Sequence, residues 1–297
     1  MTLLRPSRRA LLAALALAGA APLARAADAP RLAAPRLAAI DWGMLETAIA
    51  IGHMPVAACE LARFREDAVE PVIPPDVTDL GLRGAPNLEL LQLLRPDLIL
   101  SSPYYTEIAP RLETIAPVLS LPFYVPGEPP LPKAIAALHL LAARIGDPEA
   151  GHRAEAETEA DFARRAAALA GFAARPFLVV EIGDARHVRV FGARDSLFGD
   201  TLARIGLRNA WTDATQFSFS APVPLESLAR YEDAWLVVVG GVPVTAREGI
   251  ARSVLWRRLG PVAGGRVLEL PNVYGFGGVL AARRFARLLA AALEPRA

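Results

Sequence analysis

The side chains best equipped to bind a ligand sit in loops. Arg83 lies in Gly81-Leu82-Arg83-Gly84, where the flanking glycines leave its planar fork of donors free to reach the oxygen atoms of an anion or a chelate. A surface salt bridge is the alternative role for this side chain. Tyr104 and Tyr105 follow the apolar run Leu98-Ile99-Leu100 and Pro103 in a strand-end loop, where a packing tyrosine is one reading of Tyr105. A third loop, Tyr274-Gly275-Phe276-Gly277-Gly278, places two aromatic rings on a glycine-rich segment. Phe217, Ser218 and Phe219 form another aromatic loop after Trp211, and Trp42 follows the first strand. Trp42 and Trp235 read equally well as core residues.

Other chemistries lack their residues. His53, His139, His152 and His187 are scattered, with no His-x-x-His or His-x-x-x-His pair, and Cys59 is the only cysteine. Neither a protein-bound metal nor an internal disulfide is expected, although histidines distant in sequence can converge. The chain has no Gly-x-Ser-x-Gly elbow, no Gly-x-x-x-x-Gly-Lys phosphate loop and no Gly-x-Gly-x-x-Gly fingerprint. An enzyme is therefore not expected, nor is an intrinsic cofactor.

These loops need elements to position them. The 297 residues are 53% hydrophobic and 21% charged, enough to bury a sizeable core. Residues 1–26 read as an export signal: Arg8-Arg9, an Ala/Leu-rich stretch to Ala21, then Ala24-Arg25-Ala26 at a cleavage site. The paired arginines resemble a twin-arginine signal, with the general secretory route as the alternative. Removal of the leader's four arginines leaves 28 basic against 31 acidic residues, a balance of −3 that argues against nucleic acid as a partner. The mature chain then alternates short apolar runs with helical stretches, an α/β pattern with largely parallel sheets. A first lobe is expected over 27–147 and a second over 172–297. Between them, the Ala/Glu/Arg-rich segment 148–171 reads as one long connecting helix, much of it facing water. Two lobes imply a cleft, with ligands at strand-end loops.

The run Gly81-Leu82-Arg83-Gly84-Ala85-Pro86-Asn87-Leu88-Glu89, followed by Pro96-Asp97-Leu98-Ile99, resembles the signature of the periplasmic substrate-binding proteins of iron-siderophore and cobalamin ABC importers. Arg186-His187-Val188-Arg189-Val190-Phe191-Gly192, Ser196-Leu197-Phe198, Asn209-Ala210-Trp211 and residues 266–289 resemble the ferric hydroxamate-binding members. The resemblance implies a class III fold, two α/β lobes joined by one long helix, with limited closure on the ligand. It also implies a periplasmic monomer that receives a ferric siderophore and serves an inner-membrane ABC permease with its ATPase. Arg83 and Tyr105, with Tyr104 as rival, match side chains that hold the metal-centre oxygens in relatives. Tyr274 and Phe276 match aromatic pocket walls. Ser218 stands where relatives carry a tryptophan, and Asp67 where a pocket tryptophan often lies, so a wider or more polar pocket is implied. Trp42 and Phe219 complete the ligand-binding set. Glu107 and Glu226, one per lobe, stand near acidic residues that dock on permease arginines; solvated surface is the even alternative. A hexadentate hydroxamate fills the iron's own coordination shell, so the protein need only recognise the complex from outside. Catecholate or carboxylate siderophores, cobalamin and haem remain alternative ligands, and a siderophore esterase the alternative activity.

Overall fold

The computed structural model describes residues 35–215 and 219–296, so the leader expected over 1–26 and the candidate Ser218 lie outside the described residues. From the N-terminal side run β1 (Leu37–Ala39), α1 (Trp42–Ala50), β2 (Ala57–Ala58), α2 (Leu61–Asp67) and β3 (Thr78–Asp79). The hairpin β4 (Gly81–Leu82) and β5 (Ala85–Pro86) leads into α3 (Leu88–Leu94), β6 (Leu98–Ser101), α4 (Ala109–Glu113), β7 (Val118–Ser120) and α5 (Pro130–Arg144). The strands pair in the order β3-β2-β1-β6-β7, parallel throughout. β1 and β6 are wholly buried, which is why they read as unbroken apolar runs. Chain direction through the sheet reverses between β1 and β6, so their C-terminal ends open a crevice where α/β sheets receive ligands.

Asparagine and aspartate caps start the helices around that crevice. Asp41 accepts from the Met44 N–H at 3.0 Å, and Asn87 from the Leu90 N–H at 2.9 Å. Replacing Asn87 with Ala leaves that N–H without its side-chain acceptor and is expected to cost about 1 kcal/mol of stability, measured by urea denaturation.

The long helix α6 (Pro148–Leu169) joins the two lobes, capped by Asp147 on the Ala150 N–H. Much of it faces water, while Ala150, Ala154, Thr158, Asp161, Phe162 and Leu169 form a buried face at helical spacing and the remaining charged residues are exposed or half-buried. Beyond it lie β8 (Phe177–Ile182), β9 (His187–Phe191), α7 (Leu197–Arg204), β10 (Ser220–Pro224) and β11 (Trp235–Val239). Then come α8 (Val244–Arg252), α9 (Val254–Arg258), α10 (Gly260–Ala263), β12 (Val267–Leu270) and α11 (Val279–Leu293).

This second sheet, β10-β9-β8-β11-β12, is mixed rather than parallel. β8, β11 and β12 run parallel, while β9 and β10 are antiparallel additions at one side. After β10 the chain makes a 3-10 turn, Leu225–Arg230.

One buried apolar cluster extends from Leu37 and Trp42 through Phe162 to Phe198, Phe285 and Leu293, so the lobes share a core. Polar ties reinforce it. Asp200 accepts from the Leu131 N–H at 2.8 Å, and Asp195 from the Gly127 N–H at 3.0 Å. Glu70 meets Arg284 and Arg287 at 2.6 and 2.7 Å.

Candidate functional site

Segments after β1, β6, β7 and β12 converge on a cavity of about 250 Å³ lined by Asp41, Ser102, Tyr104, Tyr105, Phe123, Tyr124, Tyr274 and Phe276. Six of the eight are aromatic, and neither histidine nor cysteine is among them. Such walls offer apolar faces with a few hydroxyl groups, and no inner-sphere nitrogen or sulfur ligand for a soft metal. A second cavity of about 410 Å³ shares Tyr274 and Phe276 and adds charged groups, among them Arg63, Asp67, Glu181 and Arg189. The second volume lies within the range of about 300–1,000 Å³ common for small-molecule sites, and the first, which shares Tyr274 and Phe276 with it, falls just below that range.

The hairpin turn carries Arg83 to the edge of this cavity, where it is tethered on three sides. Its Nε donates to Glu60 at 3.0 Å, and one terminal nitrogen donates to the Tyr274 hydroxyl at 3.0 Å. Its guanidinium carbon lies 4.1 Å from the centre of the Trp42 ring. Arg83 and Glu60 are both largely buried, with side chains 15% and 14% exposed. Burial pulls against the charged form of Arg83, but the Tyr274, Tyr105 and Glu60 oxygens outweigh it and raise its pKa. The other terminal nitrogen has no protein acceptor among the described residues, so part of the donor fork remains for a ligand oxygen. Arg83 is therefore not itself a wall of the cavity; it stands against Tyr274, which is.

Tyr105 and Tyr274 line the cavity together, and burial raises both phenols, Tyr105 to about 12. Both remain O–H donors at neutral pH. Tyr104 lines the same cavity and is 60% exposed, so the two neighbouring tyrosines share the space rather than one facing away.

Phe276 packs 5.3 Å from Tyr124 across the lobes, and Phe219 lies 5.4 Å from Tyr124 just outside the lining set. Trp42 presents no surface to a ligand: it is 1% exposed, donates to the Cys59 carbonyl at 2.9 Å, and lies beneath Arg83 and Tyr274. It supports the site from within. Glu107 and Glu226 are exposed and have no ion-pair partner among the described residues. Burial also raises the Cys59 thiol to about 12, which leaves it protonated and unreactive.

Asp41, Ser102, Phe123 and Tyr124 enter the site without having been singled out from sequence. Asp41 caps α1, accepts from the Ser102 hydroxyl at 3.0 Å and faces the cavity; burial raises its carboxyl against those bonds. Phe123-Tyr124 follows β7 after Leu121 and Pro122, and the rule placing ligands at the C-terminal ends of parallel strands would have pointed to it.

Comparison with known proteins adds to this geometry. The profile of the periplasmic binding protein family matches residues 37–274. The chain is 32% identical over 292 residues to the iron(3+)-hydroxamate-binding protein FhuD of Escherichia coli, covering 98% of each. Its structure is similar to that of the siderophore-binding protein FhuD from Vibrio cholerae bound to Fe3+-Desferal. That match has a TM-score of 0.80 and 26% identity, over 88% of this chain and 98% of the other. Staphylococcus aureus SirA shares the fold, with a TM-score of 0.66 and 19% identity over 87% of this chain and 98% of that one.

Proposed function

The chain belongs to the periplasmic binding protein family, and from that membership we propose that it captures a ferric hydroxamate siderophore and delivers it to an inner-membrane ABC permease for iron uptake. The observation that carries this reading is the aromatic, hydroxyl-bearing cavity between the lobes, with the Arg83 donor fork at its edge. Its chemistry suits a complex whose iron is already saturated by its own chelator. Iron is cargo here, and the protein adds no intrinsic cofactor.

Tyr105, Tyr104 and Tyr274 donate to the chelate oxygens. Arg83 adds a charge-assisted donor beside Tyr274, and Phe276, Phe123 and Phe219 flank the organic scaffold. Trp42 holds Arg83 and Tyr274 from beneath. Ser218, three residues after Thr215, is assigned to the same rim from sequence alone.

The protein acts as a monomer and releases the complex unchanged. Glu107 and Glu226 present one free carboxylate from each lobe to basic residues of the permease. Residues 1–26 direct export by the twin-arginine route, and 27–147 with 172–297 form the lobes on either side of the 148–171 helix. Among the described residues no helix is long and apolar enough to cross a membrane. The shared core and the cross-lobe bonds favour limited closure over a wide hinge swing.

Titration of the purified mature chain by tryptophan fluorescence tests the reading. A ferric hydroxamate should saturate it at one equivalent with no product formed. Ferric catecholate, haem and cobalamin should bind at least about tenfold more weakly, a gap of 1.4 kcal/mol. Saturation by one of those three in place of the hydroxamate would reassign the ligand, and conversion of the chelate would reassign the protein to the hydrolases.

A further inference from the structure

Away from the cavity, we propose that His139, His152 and Glu155 form a binding site for a divalent transition-metal ion of the zinc, nickel or copper class. His139 lies on α5, and His152 and Glu155 lie three residues apart on α6. Residues at that separation share a helix face, which is how two ligands from one helix can meet a third from its neighbour.

The helices come unusually close at this level because of Gly151. A Cβ there would stand 3.1 Å from the His139 Cα, the Leu138 carbonyl and the Ala142 Cβ. The glycine thus lets the α5 backbone settle against α6 one residue before His152. As a result the His139 and His152 ring centres are 4.8 Å apart, and His139 Nε2 is 2.7 Å from a Glu155 oxygen. One ligand atom from each residue lies within 4.8 Å of the others.

Zinc binds imidazole nitrogen and carboxylate oxygen at about 2.0–2.2 Å in a tetrahedron, which sets its donors about 3.3 Å apart. The present spacing brackets that value: the 2.7 Å pair must open slightly, and the wider separations must close by side-chain rotation. The His139 side chain is 32% exposed, that of Glu155 39%, and His152 is exposed, so an ion can enter from solvent and water can complete its shell. Two imidazoles and one carboxylate suit zinc, nickel or copper(II) better than magnesium or calcium, which favour oxygen alone. None of the three residues lines the ligand cavity, so the site stands apart from the proposed siderophore function. It would bind the last helix of the first lobe to the connecting helix.

Equilibrium dialysis of the untagged mature chain against zinc chloride is the test, with cobalt(II) absorption as a spectroscopic check. One zinc per chain and cobalt bands of a four-coordinate ion are expected. His152→Ala and Glu155→Gln should each weaken zinc binding by about tenfold or more. His187→Ala, which removes an exposed histidine elsewhere, should leave it unchanged. Because metal binds only the folded chain, saturating zinc should also raise Tm in the native protein and not in His152→Ala. Absence of stoichiometric zinc, or equal zinc affinity in native chain and His152→Ala, overturns the site. Ferric hydroxamate affinity should be the same in native chain and His152→Ala, so this inference and the siderophore reading fail separately.

Discussion

Arg83→Ala is expected to weaken ferric hydroxamate binding by about 1.5–3 kcal/mol, roughly 10- to 150-fold in Kd, measured by calorimetric titration. The loss is that of a charge-assisted donor at the edge of a cavity whose other donors are neutral phenols. Calorimetry is preferred to fluorescence for this variant, because the guanidinium lies over Trp42 and its removal alters the reporter. A second consequence concerns stability. Glu60, 14% exposed, accepts from both the Arg83 backbone N–H and Nε, and would lose its only charged partner among the described residues. An uncompensated, largely buried carboxylate costs about 1–3 kcal/mol, so the variant should also unfold at lower urea.

Arg83→Lys keeps the charge but cannot meet Glu60, Tyr274 and a ligand oxygen at once, and should restore only part of the affinity. Tyr274→Phe separates direct contact from positioning. If Arg83 reaches the chelate itself, its replacement remains costly in the Tyr274→Phe background; if it only orients the Tyr274 hydroxyl, the two losses do not add. An unchanged Kd in Arg83→Ala would remove this side chain from ligand recognition altogether.

Regular elements with strong local signals were legible in the sequence, and those built by tertiary contact were not. Phe177–Ile182 and Trp235–Val239 form strands and are apolar runs long enough to be read as such. Asn87 starts its helix as its cap chemistry predicts, and Gly146 ends α5 at φ 79°. By contrast, β3, β4 and β5 are two residues each, too short to show a period. The strand Ser220–Pro224 hides behind Pro222 and Pro224, tolerable only because it lies at a sheet edge.

The site divides the same way. Arg83, Tyr105, Tyr274 and Phe276 stand in recognisable loops, whereas the tie of Tyr124 to the Gly277 carbonyl, which accepts its O–H at 2.7 Å from 153 residues away, has no local signal. Trp42 misled because its place beside a strand end suited either cleft or core, and a ring contact with Phe64 at 5.2 Å draws it inward. Likewise, His-x-x-His spacing was the wrong pattern to seek for a cluster assembled from two helices.

Glu46→Ala should produce the largest loss of stability, about 3–5 kcal/mol in urea denaturation, because two backbone donors and a filled volume go together. Glu46 sits on α1 with 0% exposure, yet its carboxylate accepts from the Gly278 N–H at 2.8 Å and the Ala281 N–H at 3.0 Å, at the start of α11. The helix dipole favours negative charge there, but burial outweighs it and raises the carboxyl from 4.5 to about 8. Between those two values the folded chain keeps a proton that the unfolded chain has released, so unfolding releases it. The Glu46 contribution to stability is therefore greatest at the acid end of that window and falls as pH rises, by at most about 1.4 kcal/mol per pH unit.

Glu46→Gln keeps an oxygen for both N–H groups and cannot ionise. Its stability should stay within about 1.5 kcal/mol of the native chain near pH 5 and gain on it steadily towards pH 8. Parallel stability profiles for the two proteins would show that Glu46 does not titrate in this window. Asp41, also raised by burial, is present in both proteins, and because its charge acts on Glu46 the difference between the profiles includes that coupling. The same contact bears on ligand binding. Gly277 must lack a side chain because a Cβ there would stand 2.5 Å from Glu46 Oε1, and this close seating fixes the loop that carries Tyr274 and Phe276. Glu46→Ala should therefore lower ferric hydroxamate affinity at pH 7 as well, whereas Glu46→Gln should preserve it.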